Sequence, residues 1–236
     1  MAEQLPFELP VRPALGREDF FVSSANAAAV GLIDGDARWP GGKLALAGPE
    51  ASGKTHLAHV WADRVDGVVV AADHLARLNI PTLAGARHVA VEDVPRIAGQ
   101  RKEEAALFHL HNLLLGDGGR LLFTGRDAPT RWSIRLPDLR SRLVGTTLVT
   151  LELPDDALLA ALLRKQFHDR QLDPSQKLID YIVPRMTRSG AEARRLVHLM
   201  DRLSLNERRP LSTGLARRAL QMADPSRQGY TEDPEG

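Results

Sequence analysis

Residues 48–55 read GPEASGKT, directly behind the apolar run KLALA at 43–47. Two glycines, a lysine and a threonine at this spacing suit the holding of phosphate. The glycines let backbone N–H groups wrap the oxyanions, Lys54 reaches the β and γ oxygens, and Thr55 offers a hydroxyl to Mg2+. Gly48, Pro49, Ala51, Ser52, Gly53, Lys54, Thr55 and His56 are therefore the expected cradle. The pattern is that of a P-loop, and its setting agrees, because a strand-like segment precedes it and the helical THLAHVWADRV follows. Such a loop needs an acidic strand end beside it. HVAVED (88–93) is the strand candidate that ends in two acids, which places Glu92 at the metal and Asp93 at the attacking water. Glu92 is one methylene longer than the usual metal-facing Asp, and Asp93 is shorter than the usual base, so slow hydrolysis by the chain itself is expected. RLLFTG (120–125) ends in Thr124, whose hydroxyl would stand between these acids and the γ-phosphate. Arg140 and Arg142 in LPDLRSRL, and Arg194 or Arg195 in GAEARRLVHLM, are the remaining cations of interest.

These groups must be positioned by regular elements. Strands are expected at 43–47, 67–72, 88–93, 120–125 and 146–153, and their apolar runs are continuous rather than alternating, as in strands buried on both faces of a parallel sheet. Helical segments lie between them: one through AAAVGLI with Ser24 or Asn26 as its cap, one after the glycine loop, and EEAALFHLHNLLL, where Leu107, Leu110 and Leu114 share a face. Alternation of strand and helix implies a doubly wound α/β domain over 17–153. After Pro154 the period changes. DDALLAALLRKQFHDR, PSQKLIDYIVPRM and SGAEARRLVHLMDRLSL are helical, with Asp155 or Asp156 as the first start signal, so 154–223 is expected to be a small helical domain. The proline-bearing residues 1–16 are expected to form an extended arm, and the polar residues 224–236 a disordered tail.

Composition excludes several alternatives. The 236 residues are 43% hydrophobic and 26% charged with a net charge of +1, which is ordinary for a soluble domain and gives no polyanion signal. Without cysteine there are no disulfides or thiolate metal sites. No stretch approaches a membrane span and the start MAEQLPFELP lacks a signal-peptide core, so a cytoplasmic protein without membrane contact is expected.

Taken together, the ordered motifs resemble the AAA+ ATPases, and within them the replication initiator DnaA and its shorter relatives of the Hda type. The loop continues as GKTHL, as is characteristic of DnaA-like proteins, and FFVSSAN (20–26) resembles the segment that packs beside adenine, implicating Phe21 and Val22. VEDVPRIAG is similar to the acid-bearing strand and its exit, and LLFTGRDAPTRW to the strand carrying the sensor-one residue, here Thr124. LPDLRSRL resembles the arginine-finger box, with Arg142 as the finger, and RSGAEARRL the sensor-two helix, with Arg194 as its arginine. The resemblance spans nearly all of 17–222 and implies an AAA+ five-stranded parallel sheet with a small C-terminal helical lid, binding ADP or ATP with Mg2+.

Two features lean toward the Hda type. The chain stops soon after the lid, so the helix-turn-helix domain with which DnaA reads its origin is not expected, nor is sequence-specific DNA binding. QLPFEL (4–9) resembles the short peptide that docks on the β sliding clamp of DNA polymerase III, through Gln4, Leu5, Phe7 and Leu9, although Pro6 interrupts it. The resemblance thus implies a nucleotide-bound inactivator of DnaA, recruited to DNA-loaded clamps, that stimulates hydrolysis of DnaA's ATP and so prevents re-initiation of replication. Homo-oligomers are compatible with it. A helicase-loader or motor-type ATPase, and a DnaA-paralogue scaffold, are the alternatives.

Overall fold

The computed structural model describes residues 21–35, 39–207 and 209–223. Gln4, Leu5, Phe7 and Leu9, with the rest of the expected arm, and the expected tail 224–236 lie outside the described residues. Five strands form one parallel sheet: β1 (Lys43–Ala47), β2 (Val68–Ala71), β3 (His88–Glu92), β4 (Arg120–Gly125) and β5 (Thr147–Thr150). Their order is β2-β3-β4-β1-β5. All five expected strands are present: β1 and β4 have the expected bounds, and β2, β3 and β5 are shorter by a residue or more.

The sheet is covered on both faces, which explains its unbroken apolar strands. On one face Leu44, Leu46, Ala90, Leu122 and Val149 pack with α1 (Ala27–Asp34) and α2 (Lys54–Val65), chiefly through Ile33, Leu57 and Trp61. On the other, Ala45, Val89, Val91, Leu121 and Phe123 meet α3 (Ile80–Ala84), α4 (Arg101–Gly116) and α5 (Pro137–Val144). Leu107, Leu110 and Leu114 of α4, at most 1% exposed, form the stripe that their spacing predicts. Register matters for the site: Leu46 pairs with Thr124 and Ala47 with Gly125, so the strand leading into the glycine loop ends beside Thr124.

Beyond β5 the chain is helical: α6 (Asp156–His168), α7 (Gln176–Ile182), α8 (Gly190–Glu207) and α9 (Thr213–Ala223). Leu159, Leu163, Phe167, Leu178, Ile182, Leu196 and Met200 form a core of their own. Helix α9 lies within the expected helical region 154–223 but was not picked out as a separate segment. Its buried face, Leu215, Ala216, Ala219, Leu220 and Ala223, has helical spacing, but three of the five are alanines, which give hydrophobic periodicity little contrast. Among the described residues no helix is long and apolar enough to cross a membrane.

Candidate functional site

The glycine loop joins β1 to α2, and its backbone is shaped by tight approach rather than by side chains. A Cβ on Gly48 would lie 2.4 Å from the Leu151 carbonyl oxygen and 2.8 Å from Ser52 Oγ, so no other residue fits there without displacing the main chain. Gly53, the N-cap of α2, has φ +98°, a conformation that L side chains resist. Ala51 adopts φ 63° despite its Cβ, a local strain of the kind that gathers at ligand clamps. Gly48 N–H donates to the Gly125 and Arg126 carbonyls at 3.3 and 3.1 Å, fastening the loop to the end of β4.

Lys54 closes the loop on itself. Its Nζ donates to the carbonyls of Gly48 (2.8 Å) and Pro49 (2.7 Å), and burial holds its pKa below the usual lysine value against the opposing pull of Asp93 and Glu50. Glu92 also acts on Lys54, so β3's acidic end faces the loop. Asp93 leaves the strand in a left-handed conformation (φ 53°) and its N–H donates to Thr124 Oγ1 at 3.0 Å. Thr124, 1% exposed, thus ties the two strand ends together. Two buried oxygens at this site, Glu92 Oε1 and Ser52 Oγ, have no hydrogen-bond partner among the described residues. An orphaned carboxylate oxygen and an orphaned hydroxyl beside a half-buried ammonium fit a polyphosphate with its cation, which would supply the missing partners. Thr55, at the first turn of α2, is exposed, and His56 follows it half-buried.

Phe21 is half-buried and Val22 exposed, at the start of a segment that runs beside the first residues of the helical bundle. Asn26 stands at the N-cap of α1, as expected, but its side chain makes no cap bond: its Nδ2 donates to the Phe21 carbonyl at 2.8 Å and its Oδ1 accepts from Ser23 N–H at 2.9 Å. Glu152 N–H donates to the Ala25 carbonyl at 3.1 Å, and Ser24 Oγ donates to Asp155 Oδ2 at 3.1 Å. This segment therefore meets residues 151–155, where Leu151 abuts Gly48.

The arginines divide. Arg195 donates to the Ala223 carbonyl at 3.0 Å and faces Glu192 at 3.9 Å, so it is engaged within the bundle. Arg194, exposed near the start of α8, has no hydrogen-bond or ion-pair partner among the described residues, and nothing joins it to the loop. Arg142 lies by the opposite end of β1 from the loop. Its carbonyl accepts from Nζ of Lys43, the first residue of β1, whereas the glycine loop follows the last residue of that strand, about 13 Å away at the rise of a parallel strand. Sequence reasoning passed over Arg126, which lies against the loop and lowers the Lys54 pKa, and over Asn26's clamp. The only sequence signal for Arg126 was its position directly after the strand end at Gly125.

Parallel sheet, strand order, glycine loop and helical bundle together define the AAA+ P-loop fold. No family model matches the chain. Domain III of the Thermotoga maritima replication initiator DnaA superposes with a TM-score of 0.74 at 18% identity, covering 91% of this chain and 98% of that one. The replication initiator DnaA bound to AMPPCP and single-stranded DNA gives 0.67 at 20% identity, covering 84% of this chain and 69% of that one. A Haemophilus influenzae relative described as an uncharacterized protein is 23% identical over 184 residues, 74% of this chain and 80% of its own length.

Proposed function

We propose that this protein is a nucleotide-bound regulator of the Hda type, which supplies Arg142 to ATP held by DnaA and so accelerates its hydrolysis. The carrying observation is the position of Arg142. It is exposed and lies by the opposite end of β1 from its own loop, which favours a phosphate held by another subunit over its own. An arginine inserted in trans neutralises the charge that spreads over the transferring phosphoryl group. The chain's own ADP or ATP would be held by the loop from Gly48 to His56, its Mg2+ by Thr55 and Glu92, its base by Phe21 and Val22, and its γ side by Thr124, Asp93 and Arg194. There the nucleotide acts as a structural or switching ligand, because the acids depart from the usual Asp–Glu order. Residues 4–9 would bring the protein to DNA-loaded clamps.

The test is DnaA's ATP hydrolysis with and without the protein, in the presence of loaded clamp. Arg142→Ala is expected to keep its own nucleotide and clamp binding while stimulation falls by about 10³-fold or more, the range of arginine fingers. Arg140→Ala is expected to be milder. Full stimulation by Arg142→Ala would overturn the proposal, and brisk DNA-dependent turnover by the protein alone would favour a motor.

A further inference from the structure

Arg142 is held in the free chain by three contacts that take no part in the chain's own phosphate site. Lys43 Nζ donates to the Arg142 carbonyl oxygen at 2.7 Å, and Thr146 Oγ1 donates to the same oxygen at 3.4 Å. That carbonyl lies in the last turn of α5, where helix geometry provides no partner. An ammonium there is favoured twice, as a donor and as a positive charge at the negative end of the helix. On the other side, the guanidinium carbon stands 5.3 Å from the ring centroid of Phe108, in α4. A guanidinium over an aromatic face is attracted to it without using up its N–H donors, which stay free to bond.

Charge around the finger is unbalanced. Among the described residues no carboxylate pairs with Lys43 or Arg142. The titratable neighbour buried behind them, His111, is kept neutral down to a pKa of about 4, by burial first and by Lys43 next. Burial and the charge of Arg142 also hold the Lys43 pKa below its ordinary value. Two cations without a counter-ion among the described residues, on an exposed rim, favour an incoming anion.

We propose that Lys43 and Phe108 are positioning residues for Arg142, Lys43 fixing the main chain at the end of α5 and Phe108 holding the guanidinium, so that the finger is preset for a partner's γ-phosphate. The inference rests on the in trans reading of Arg142 above. Neither residue touches the phosphate; both act by restricting Arg142. Catalysis by a positioned cation is sensitive to displacements of about 1 Å, which cost up to about 10²-fold in rate.

The test uses the full chain with its nucleotide, loaded clamp and ATP-bound DnaA, and titrates the chain to saturation. Lys43→Met keeps the aliphatic stem and removes the donor; Phe108→Leu keeps apolar volume and removes the ring. Each is expected to lower the maximal stimulated rate by about tenfold or more. The concentration giving half-maximal stimulation should stay within about twofold, since docking is not what these residues serve. Lys43→Arg and Phe108→Tyr, which restore a donor and a ring, should recover most of the rate; a merely structural defect would not be rescued so selectively. The thermal midpoint and retained nucleotide of each variant are measured alongside. If Arg142→Ala is inactive while Lys43→Met and Phe108→Leu both stimulate like wild type, the positioning role is wrong and the finger reading stands. If the variants change only the half-maximal concentration, they serve docking and the inference is overturned. If Arg142→Ala itself stimulates normally, the reading beneath it has failed.

Discussion

At Gly48 a single hydrogen atom decides whether the phosphate loop can form. A methyl group there would stand 2.4 Å from the Leu151 carbonyl, which belongs to the main chain running from β5 to the helical bundle and cannot swing aside as a side-chain tip can. Gly48→Ala is expected to cost about 1–3 kcal/mol of stability, the scale of overpacking, and to weaken nucleotide binding as well. Chemical denaturation and titration with a fluorescent ADP check this, and a variant matching wild type in both would show that the segment at Leu151 yields freely. Lys54→Ala removes the loop's ammonium and should cost about 2–4 kcal/mol of nucleotide binding. His111 makes a different kind of prediction. Its ring is 4% exposed and its pKa falls from 6.5 to about 4, with burial the main cause and Lys43 the next. The unfolded chain therefore takes up a proton at this position before the folded one does. Stability is complete above about pH 6.5 and declines as pH falls toward 4, by at most about 3 kcal/mol. His111→Leu should flatten that decline in denaturation curves measured from pH 7 to 4.5. A parallel decline in the variant would assign the loss to other groups.

Helix α5 shows how an element can be held by residues far away in sequence. Its end is fastened by Lys43, 99 residues earlier in the chain. Its start is fastened by Glu104, a carboxylate 2% exposed in the first turn of α4. Glu104 Oε1 accepts from Gly99 N–H at 2.7 Å and Arg135 N–H at 3.0 Å, and Oε2 accepts from Leu136 N–H at 2.7 Å. Burial alone would raise this carboxyl's pKa, yet the donors from Arg135, Gly99 and Leu136 hold it below 4.5. Its contribution is therefore present above pH 4.5 and is lost as pH falls through the lower folded value. Glu104→Gln keeps the shape but turns an NH2 toward buried N–H donors, and about 3 kcal/mol of destabilisation is expected, measured by denaturation at pH 7. A cost under about 1 kcal/mol would mean that the segment before α5 finds other partners. Such links explain what the sequence disclosed. The strands, the glycine loop, the acids and the apolar stripe of α4 were legible because each is a local pattern. Lys43, Phe108 and Glu104 were not, because one lysine at a strand start, one aromatic on a half-buried helix and one acid in a first turn carry no pattern until the fold sets them against α5. Asn26 misled for a related reason: it stands where a cap belongs, but its amide is used by Phe21 and Ser23 instead.

On the scale of the whole molecule, the sheet and the helical bundle have separate cores, and the chain between them is joined by few polar contacts. Asp155 occupies the centre of this joint. Its Oδ1 caps α6 by accepting Leu158 N–H at 2.7 Å, and its Oδ2 accepts from Ser24 Oγ at 3.1 Å, so one carboxylate both starts the bundle's first helix and ties it to the segment carrying Phe21 and Val22. Arg188 reinforces the joint, donating to the Pro154 carbonyl at 3.0 Å and to Asp156 Oδ1 at 2.5 Å. The Leu158 N–H bond, more than any other partner, holds the Asp155 pKa below 3.8, so its support is present above that pH and is lost as pH falls through the lower folded value. Removing it at neutral pH separates its two roles. Asp155→Ala should cost about 1 kcal/mol through the lost cap, and Asp155→Asn, which keeps an acceptor for Leu158, should cost less. Hydrogen exchange should then quicken in the first turn of α6 and in residues 21–26 of the Ala variant while α2 and β1 keep wild-type protection, because the sheet retains its own core. Equal acceleration throughout the chain would show that the two cores unfold as one unit and that Asp155 is not a joint between them.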